Sequence, residues 1–200
     1  MPDWISKLQD LVSLKIYWTR LSDDPLIAFQ NLPNLAELIL GIEAYNGEQL
    51  HIGKGGFRKL KELWLADLSE LNSLIIEEEA ILLLEKFHIM GCSQLKEVPS
   101  GFRHLTNLKE LNILDMPTEF EKSLDPEQGS HYGIIKHVPF ILLHHKVHKG
   151  INGYESCNLR SKNLERSRSQ TIDQDDDNKN NALSRIVNTE DDINASVEKG

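Results

Sequence analysis

The sequence predicts an α/β repeat solenoid with a concave parallel sheet. Three observations carry that prediction: a recurring spacing of apolar residues, a near-constant period, and alternation inside each copy. The spacing is leucine, two residues, leucine, two residues, leucine, one residue, apolar. Its cleanest copy is Leu105, Leu108, Leu111 and Ile113. Other copies are Leu8, Leu11, Leu14, Ile16; Leu32, Leu35, Leu38, Leu40; Phe57, Leu60, Leu63, Leu65; and Ile81, Leu84, Phe87, Ile89. First positions fall at 8, 32, 57, 81 and 105, so the steps are 24, 25, 24 and 24 residues. A fixed period of about 20–29 residues with this spacing is the signature of a leucine-rich repeat.

Alternation sets the inward residues. In a strand, residues i and i+2 share a face. The repeat core is therefore predicted at Leu14, Leu38, Leu63, Phe87 and Leu111, with Ile16, Leu40, Leu65, Ile89 and Ile113 beside them. No single repeat buries its apolar stripe alone; stacking on neighbours does. The expected architecture is a right-handed solenoid of about five repeats, with strands roughly 4.8 Å apart on the concave side.

The elements follow in order. The chain opens on what reads as the closing half of a repeat, since Pro2, Ile5, Leu8 and Leu11 reappear 97 residues later as Pro99, Phe102, Leu105 and Leu108. No polar cap precedes Leu8, so the chain is expected to be a fragment. Asp23-Asp24-Pro25 breaks the backbone before Leu26 and Phe29, which keep the core frame. Residues 41–56 are expected to be irregular, with Gly53, Gly55 and Gly56 marking a turn. Leu68, Leu71, Leu74 and Ile76 form an extra leucine run, assigned to the convex side because counting it would break the period. Cys92 fills the asparagine-or-cysteine position of the repeat, a buried structural thiol that bonds backbone groups freed as the strand ends. After Ile113 the period is expected to stop. Residues 132–143 read as a last extended segment covering the open end of the stack. The predicted domain is 1–143, and 144–200 a polar tail. Within it about 150–200 is expected to be disordered, with a weak helix near 182–187. Residues 174–181 hold three aspartates and three asparagines without an apolar residue, too little to offset the entropy of ordering.

Composition excludes several function classes. Formal net charge is −9, the wrong sign for a nucleic-acid partner. The two cysteines, Cys92 and Cys157, make no disulfide framework, and a reducing compartment is the simpler reading. No secretory signal or apolar run long enough to span a bilayer is visible, so the expected location is the cytoplasm. His144, His145 and His148 have helical metal-ligand spacing but no carboxylate or cysteine nearby to complete a site. Gly53-Lys54-Gly55-Gly56 lacks the earlier glycine and the Ser or Thr of a phosphate loop. No nucleophile–base spacing is present. The expectation is a non-enzyme with no cofactor and no metal.

The functional signal lies on the predicted concave face. One column of outward positions holds Lys15, Ile39, Trp64, His88 and Asn112; the next holds Tyr17, Gly41, Ala66, Met90 and Leu114. Tyr17, Ile39, Trp64, Met90 and Leu114 are expected to be exposed there, with His88 among them. Contiguous apolar patches mark protein contacts, and aromatics are enriched at hot spots. The six residues Tyr17, Ile39, Trp64, His88, Met90 and Leu114 are the candidate protein-binding surface.

Several linked phrases narrow the family. They are Pro2-Asp3-Trp4-Ile5-Ser6-Lys7-Leu8, Leu32-Pro33-Asn34-Leu35-Ala36-Glu37-Leu38, Ala44-Tyr45-Asn46-Gly47-Glu48, Gly55-Gly56-Phe57-Arg58-Lys59-Leu60-Lys61-Glu62-Leu63-Trp64-Leu65, Leu95-Lys96-Glu97-Val98-Pro99-Ser100-Gly101 and His137-Val138-Pro139. Over about residues 2–140 the chain resembles the C-terminal leucine-rich-repeat end of plant intracellular nucleotide-binding disease-resistance proteins of the coiled-coil subclass. The resemblance implies a recognition and autoregulatory module acting in pathogen defence. Its partners would be the nucleotide-binding domain of the parent receptor, a pathogen effector or a guarded host protein. Nucleotide binding would belong to that other domain. The alternative is a generic intracellular repeat scaffold or substrate-receptor module.

Overall fold

The computed structural model describes residues 5–146, 154–159 and 161. The chain divides into two compact units, Met1–Arg160 and Ser161–Gly200. The second contains only Ser161 among the described residues, so the architecture below is that of the first. The predicted helix near 182–187 and most of the predicted disordered tail lie outside the described residues.

A 3-10 turn at Ile5–Lys7 leads into β1 (Ser13–Ile16) and a one-turn helix α1 (Leu26–Phe29). Then come β2 (Glu37–Leu40), β3 (Gln49–Ile52), β4 (Glu62–Ala66), β5 (Ser73–Ile76) and β6 (Lys86–Met90). A 3-10 turn at Ser100–His104 precedes β7 (Glu110–Leu114), α2 (Thr118–Ser123) and α3 (Tyr132–Ile135). The described chain closes with β8 (Phe140–Lys146) and β9 (Tyr154–Asn158). Among the described residues no helix is long and apolar enough to cross a membrane.

The main sheet has the order β1-β2-β4-β6-β7-β8-β9. Its pairings are parallel from β1 to β8, and β9 runs antiparallel to β8. Register follows the leucine frame: Leu14, Leu38, Leu63, Phe87, Leu111 and Ile141 stand side by side. The strands sit in that register because each repeat ends its turn on one carbonyl that accepts two successive amides of the next. Val12 O takes the N–H groups of Ala36 and Glu37, Ala36 O those of Lys61 and Glu62, Lys61 O those of Glu85 and Lys86, and Glu85 O those of Lys109 and Glu110. Each backbone donor thus finds its partner one period away. This is a leucine-rich-repeat solenoid, with leucine and phenylalanine filling a core that buries no polar or charged residue among those described.

Four expectations are corrected. Residues 41–56 are not wholly irregular, because β3 lies within them and pairs in parallel with β5. Leu74 and Ile76 do lie off the main sheet, yet they form a strand, giving a second sheet of two strands. The period does not stop at Ile113. Ile135, Val138, Ile141 and Leu143 repeat the frame 30 residues after Leu105, and all four are buried. The added length holds α2, whose Phe120 is buried, so β8 still meets β7 in register. Segment 132–143 is accordingly a helix followed by a strand, and the sheet continues through His144, His145 and Lys146 to β9 rather than ending at 143. Finally, Leu14 packs against the core on the predicted inward face, but it is only half-buried, as are Leu8, Leu11 and Ile16, because β1 has a repeat on one side only. Leu38, Leu63, Phe87, Cys92 and Leu111 are fully buried.

Cys92 sits where the chain leaves β6. Ala44, Leu68, Cys92 and Met116 recur every 24 residues and are all buried, forming an inward column at the strand exits. The Cys92 thiol donates to Met90 O at 3.5 Å and accepts from the Leu68 backbone. Burial pushes its pKa up to about 12.

Candidate protein-binding face

The outward residues of the main sheet form three columns. At the strand starts are Ser13, Glu37, Glu62, Lys86, Glu110 and Phe140. The middle column is Lys15, Ile39, Trp64, His88, Asn112 and Leu142. Ala66, Met90, Leu114 and His144 make the third.

At the centre, Trp64 and His88 stack with ring centroids 3.7 Å apart and planes 9° from parallel. Neighbouring strands at about 4.8 Å bring same-face side chains into contact, and flat rings exploit that spacing. The Trp64 indole donates to Glu62 Oε1 at 2.7 Å. The Asn112 amide nitrogen donates to Glu110 and also meets His88 Nδ1 at 3.0 Å. With Nδ1 accepting, the imidazole proton sits on Nε2. That Nε2 is buried without a hydrogen-bond partner; Glu62 Oε1, at 3.5 Å, is too far for a bond and acts through its charge. Burial holds the His88 pKa below its ordinary value, while Glu62 and Glu110 pull it up. His88 is therefore neutral near pH 7, and the network runs from Glu62 through two stacked rings to Asn112 and Glu110.

Beside this network lies an apolar pocket of about 330 Å³, lined by Trp64, His88, Met90, Asn112, Leu114 and His144. It gathers four of the six candidate residues: Trp64, His88, Met90 and Leu114. Their exposure is smaller than expected. Ile39, Trp64, His88, Met90 and Leu114 are half-buried, since strands on both sides cover them. Tyr17 is exposed, at 38%. It lies apart from that pocket, in a second groove of about 530 Å³ along β1 with Ile5, Leu14, Ile16, Trp18 and Phe29. Its ring covers Gly41, where a Cβ would come within 2.3 Å of Tyr17 Cε1. Ile39 lines neither.

The sequence reading left Asn112 out of the candidate residues and set His144 aside as part of a histidine-rich tail. The signal that places His144 is the frame Ile135, Val138, Ile141, Leu143, which makes position 144 the next outward residue. His144 and His145 lie in a strand rather than on a helix, so helical ligand spacing does not apply to them. His148 is outside the described residues. Among the described residues no group of three or more His, Cys, Asp or Glu is placed to hold a metal ion.

Charge is distributed unevenly over this face. Glu37 pairs with Lys15 at 2.8 Å, and Glu43 pairs with Arg20. Glu62 and Glu110 accept hydrogen bonds from the neutral indole and amide instead.

The chain is similar to plant proteins with one common description. It is 32% identical over 139 residues to Disease resistance protein RPP8 of Arabidopsis thaliana, a match covering 70% of this chain and 15% of that protein. Identity to Putative disease resistance protein At1g59780 of Arabidopsis thaliana is 33% over 141 residues, covering 70% of this chain and 16% of the relative. To Disease resistance protein RPM1 of Arabidopsis thaliana it is 29% over 150 residues, covering 75% and 16%. The chain thus spans about a sixth of the length of these curated relatives. No family model matches, and no solved structure matches.

Proposed function

The chain is a leucine-rich-repeat solenoid similar to part of the plant disease-resistance proteins, and from that premise we propose that it is a recognition and autoregulatory module of an immune receptor. The module works without catalysis, in the cytoplasm, by docking protein on its concave face. The observation that carries this reading is the pocket beside the Trp64–His88 stack, on the outward face of the main sheet. A half-buried aromatic anchored by a hydrogen bond is the kind of residue on which binding energy concentrates. The docked protein is the nucleotide-binding domain of the receptor, which this face restrains, or an effector or guarded host protein that competes for it.

The test is a pull-down and titration of the full chain against a nucleotide-binding domain encoded at the same locus. Trp64→Ala is expected to weaken binding at least tenfold, about 1.4 kcal/mol. Tyr17→Ala reports on the separate β1 groove. Absence of binding, or binding indifferent to Trp64→Ala, overturns the reading in favour of a scaffold with another contact surface.

A further inference from the structure

The pocket-bearing strands carry an excess of negative charge that the rest of the sheet does not. Residues 62–67, 86–91 and 110–115, which supply six of the seven pocket-lining residues, contain Glu62, Asp67, Glu110 and Asp115 against one cation, Lys86, while β8, which adds His144 to the wall, carries Lys146 at its far end. Glu62 and Glu110 stand where β4 and β7 begin, while Asp67 and Asp115 follow their last residues. The apolar pocket opens between these two acidic rims. Asp67 leans across the rim toward the next repeat: its Oδ1 lies 2.2 Å from where a Cβ of Gly91 would be. Neutral donors satisfy Glu62 and Glu110 and leave their charge in place. Neutral His88 adds no compensating charge, since burial holds its pKa down. On the β1 side, by contrast, Glu37 and Glu43 are matched by Lys15 and Arg20.

We propose that the pocket lined by Trp64, His88, Met90 and Leu114 takes an apolar side chain of a partner polypeptide that carries lysine or arginine on both sides of that anchor. This rests on the reading of the concave face as a protein-docking surface and specifies the partner's chemistry. β4, β6 and β7 have both backbone edges paired within the sheet, so a partner cannot add as a strand there. It must bind through side chains. The pocket wall is almost wholly apolar, so the seated group is apolar. Carboxylates on both rims make a flanking cation favourable and a flanking anion unfavourable. Such a segment is steered to the face at low ionic strength and released as salt screens the rims.

The experiment uses the full chain and three fluorescein-labelled, end-capped pentapeptides: Arg-Arg-Leu-Arg-Arg, Glu-Glu-Leu-Glu-Glu and Arg-Arg-Ser-Arg-Arg. Anisotropy titrations at low salt are expected to give the tightest Kd for the basic leucine peptide, with the other two at least fivefold weaker. Glu62→Gln combined with Glu110→Gln is expected to weaken the basic leucine peptide about fivefold, and Lys86→Gln to tighten it about twofold. Equal binding of all three peptides, or indifference to both variants, overturns the proposal. Lys86→Gln serves where the double variant lowers folding stability, because Lys86 is exposed. The two readings fail separately. If the nucleotide-binding domain loses affinity on Trp64→Ala but ignores salt and the glutamate changes, docking stands and the basic partner falls.

Discussion

The rings of Trp64 and His88, contributed by adjacent repeats, lie 3.7 Å apart and nearly parallel. The stack buries one imidazole face and leaves the Nε2 N–H with no hydrogen-bond partner, so the nitrogen left to take up a proton is Nδ1, which accepts from the Asn112 amide. Protonating it would place a cation in a half-buried site. The groups that face it are Glu62 and Glu110, which favour the cation, and Lys86, which opposes it; burial outweighs both carboxylates.

A pH dependence follows with a definite sign. The folded pKa of His88 lies below the ordinary value of 6.5, so the unfolded chain takes up this proton first as pH falls. Stability tied to neutral His88 is complete above about pH 6.5 and is lost as pH falls through the folded value. The urea midpoint is expected to drop between about pH 7 and about pH 5 more steeply in the native chain than in His88→Gln. Parallel pH profiles for the two would remove His88 from the account.

Gly101 tests the packing of the second sheet. A Cβ there would lie 2.3 Å from the Ile76 carbonyl oxygen and 2.7 Å from Ile76 Cβ. Backbone must shift to admit it. Gly101→Ala is expected to destabilise by about 1–3 kcal/mol, the usual cost of overpacking. Gly133, in α3, has nothing within 4 Å of its would-be Cβ. Gly133→Ala is expected to be neutral or stabilising by up to about 1 kcal/mol. Thermal melts of the pair give opposite or unequal shifts if the contact is as described.

Thiol chemistry separates the two cysteines. Cys92 is fully buried with its pKa pushed up to about 12, while Cys157 is half-buried in β9. The thiolate is the reactive form. Titration of the folded chain with a thiol reagent at neutral pH is expected to modify Cys157 alone, with Cys92 reacting only in denaturant. Rapid modification of Cys92 in the folded chain would contradict its burial.

The stack also has a soft end. Leu14 is half-buried and Leu38 fully buried, although they occupy the same place in successive repeats. Leu38→Ala is expected to cost about 2–5 kcal/mol, and Leu14→Ala clearly less. Hydrogen exchange should release the amides of β1 before those of β4 and β6, because a repeat array opens from the member with fewest neighbours. Uniform protection across the sheet would show that the array unfolds as one unit.

The sequence made most of this fold legible because stacking repeats one apolar frame. Leu38, Leu63, Phe87 and Leu111 are buried where the frame puts them. β3 escaped altogether, β8 was expected only as an extended segment ending at 143 and outside the repeat frame, and β9 lies where a disordered tail was expected. In β3 the frame reads Ala44, Gly47, Leu50, Ile52, and the first two are too small to register as leucine positions. The repeat frame of β8 escaped because α2 lengthened the step to 30 residues, although Ile135, Val138, Ile141 and Leu143 hold the spacing. The concave columns were readable from alternation alone. Their degree of burial was not, since it depends on how side chains such as Trp64 and His88 lie over one another across strands. Ending that segment at 143 also hid His144 from the pocket.

The short sheet of β3 and β5 bears on curvature. A repeat solenoid bends when its inner strands stand closer together than the outer segments. Between the repeats that carry β3 and β5, both faces are hydrogen-bonded strand pairs. Paired strands hold about 4.8 Å wherever they occur. Inner and outer arcs are then equal in length, so this step of the solenoid has no room to bend. Ile39 and Trp64, neighbours across β2 and β4, therefore sit at a step of the solenoid braced by strand pairing on both faces.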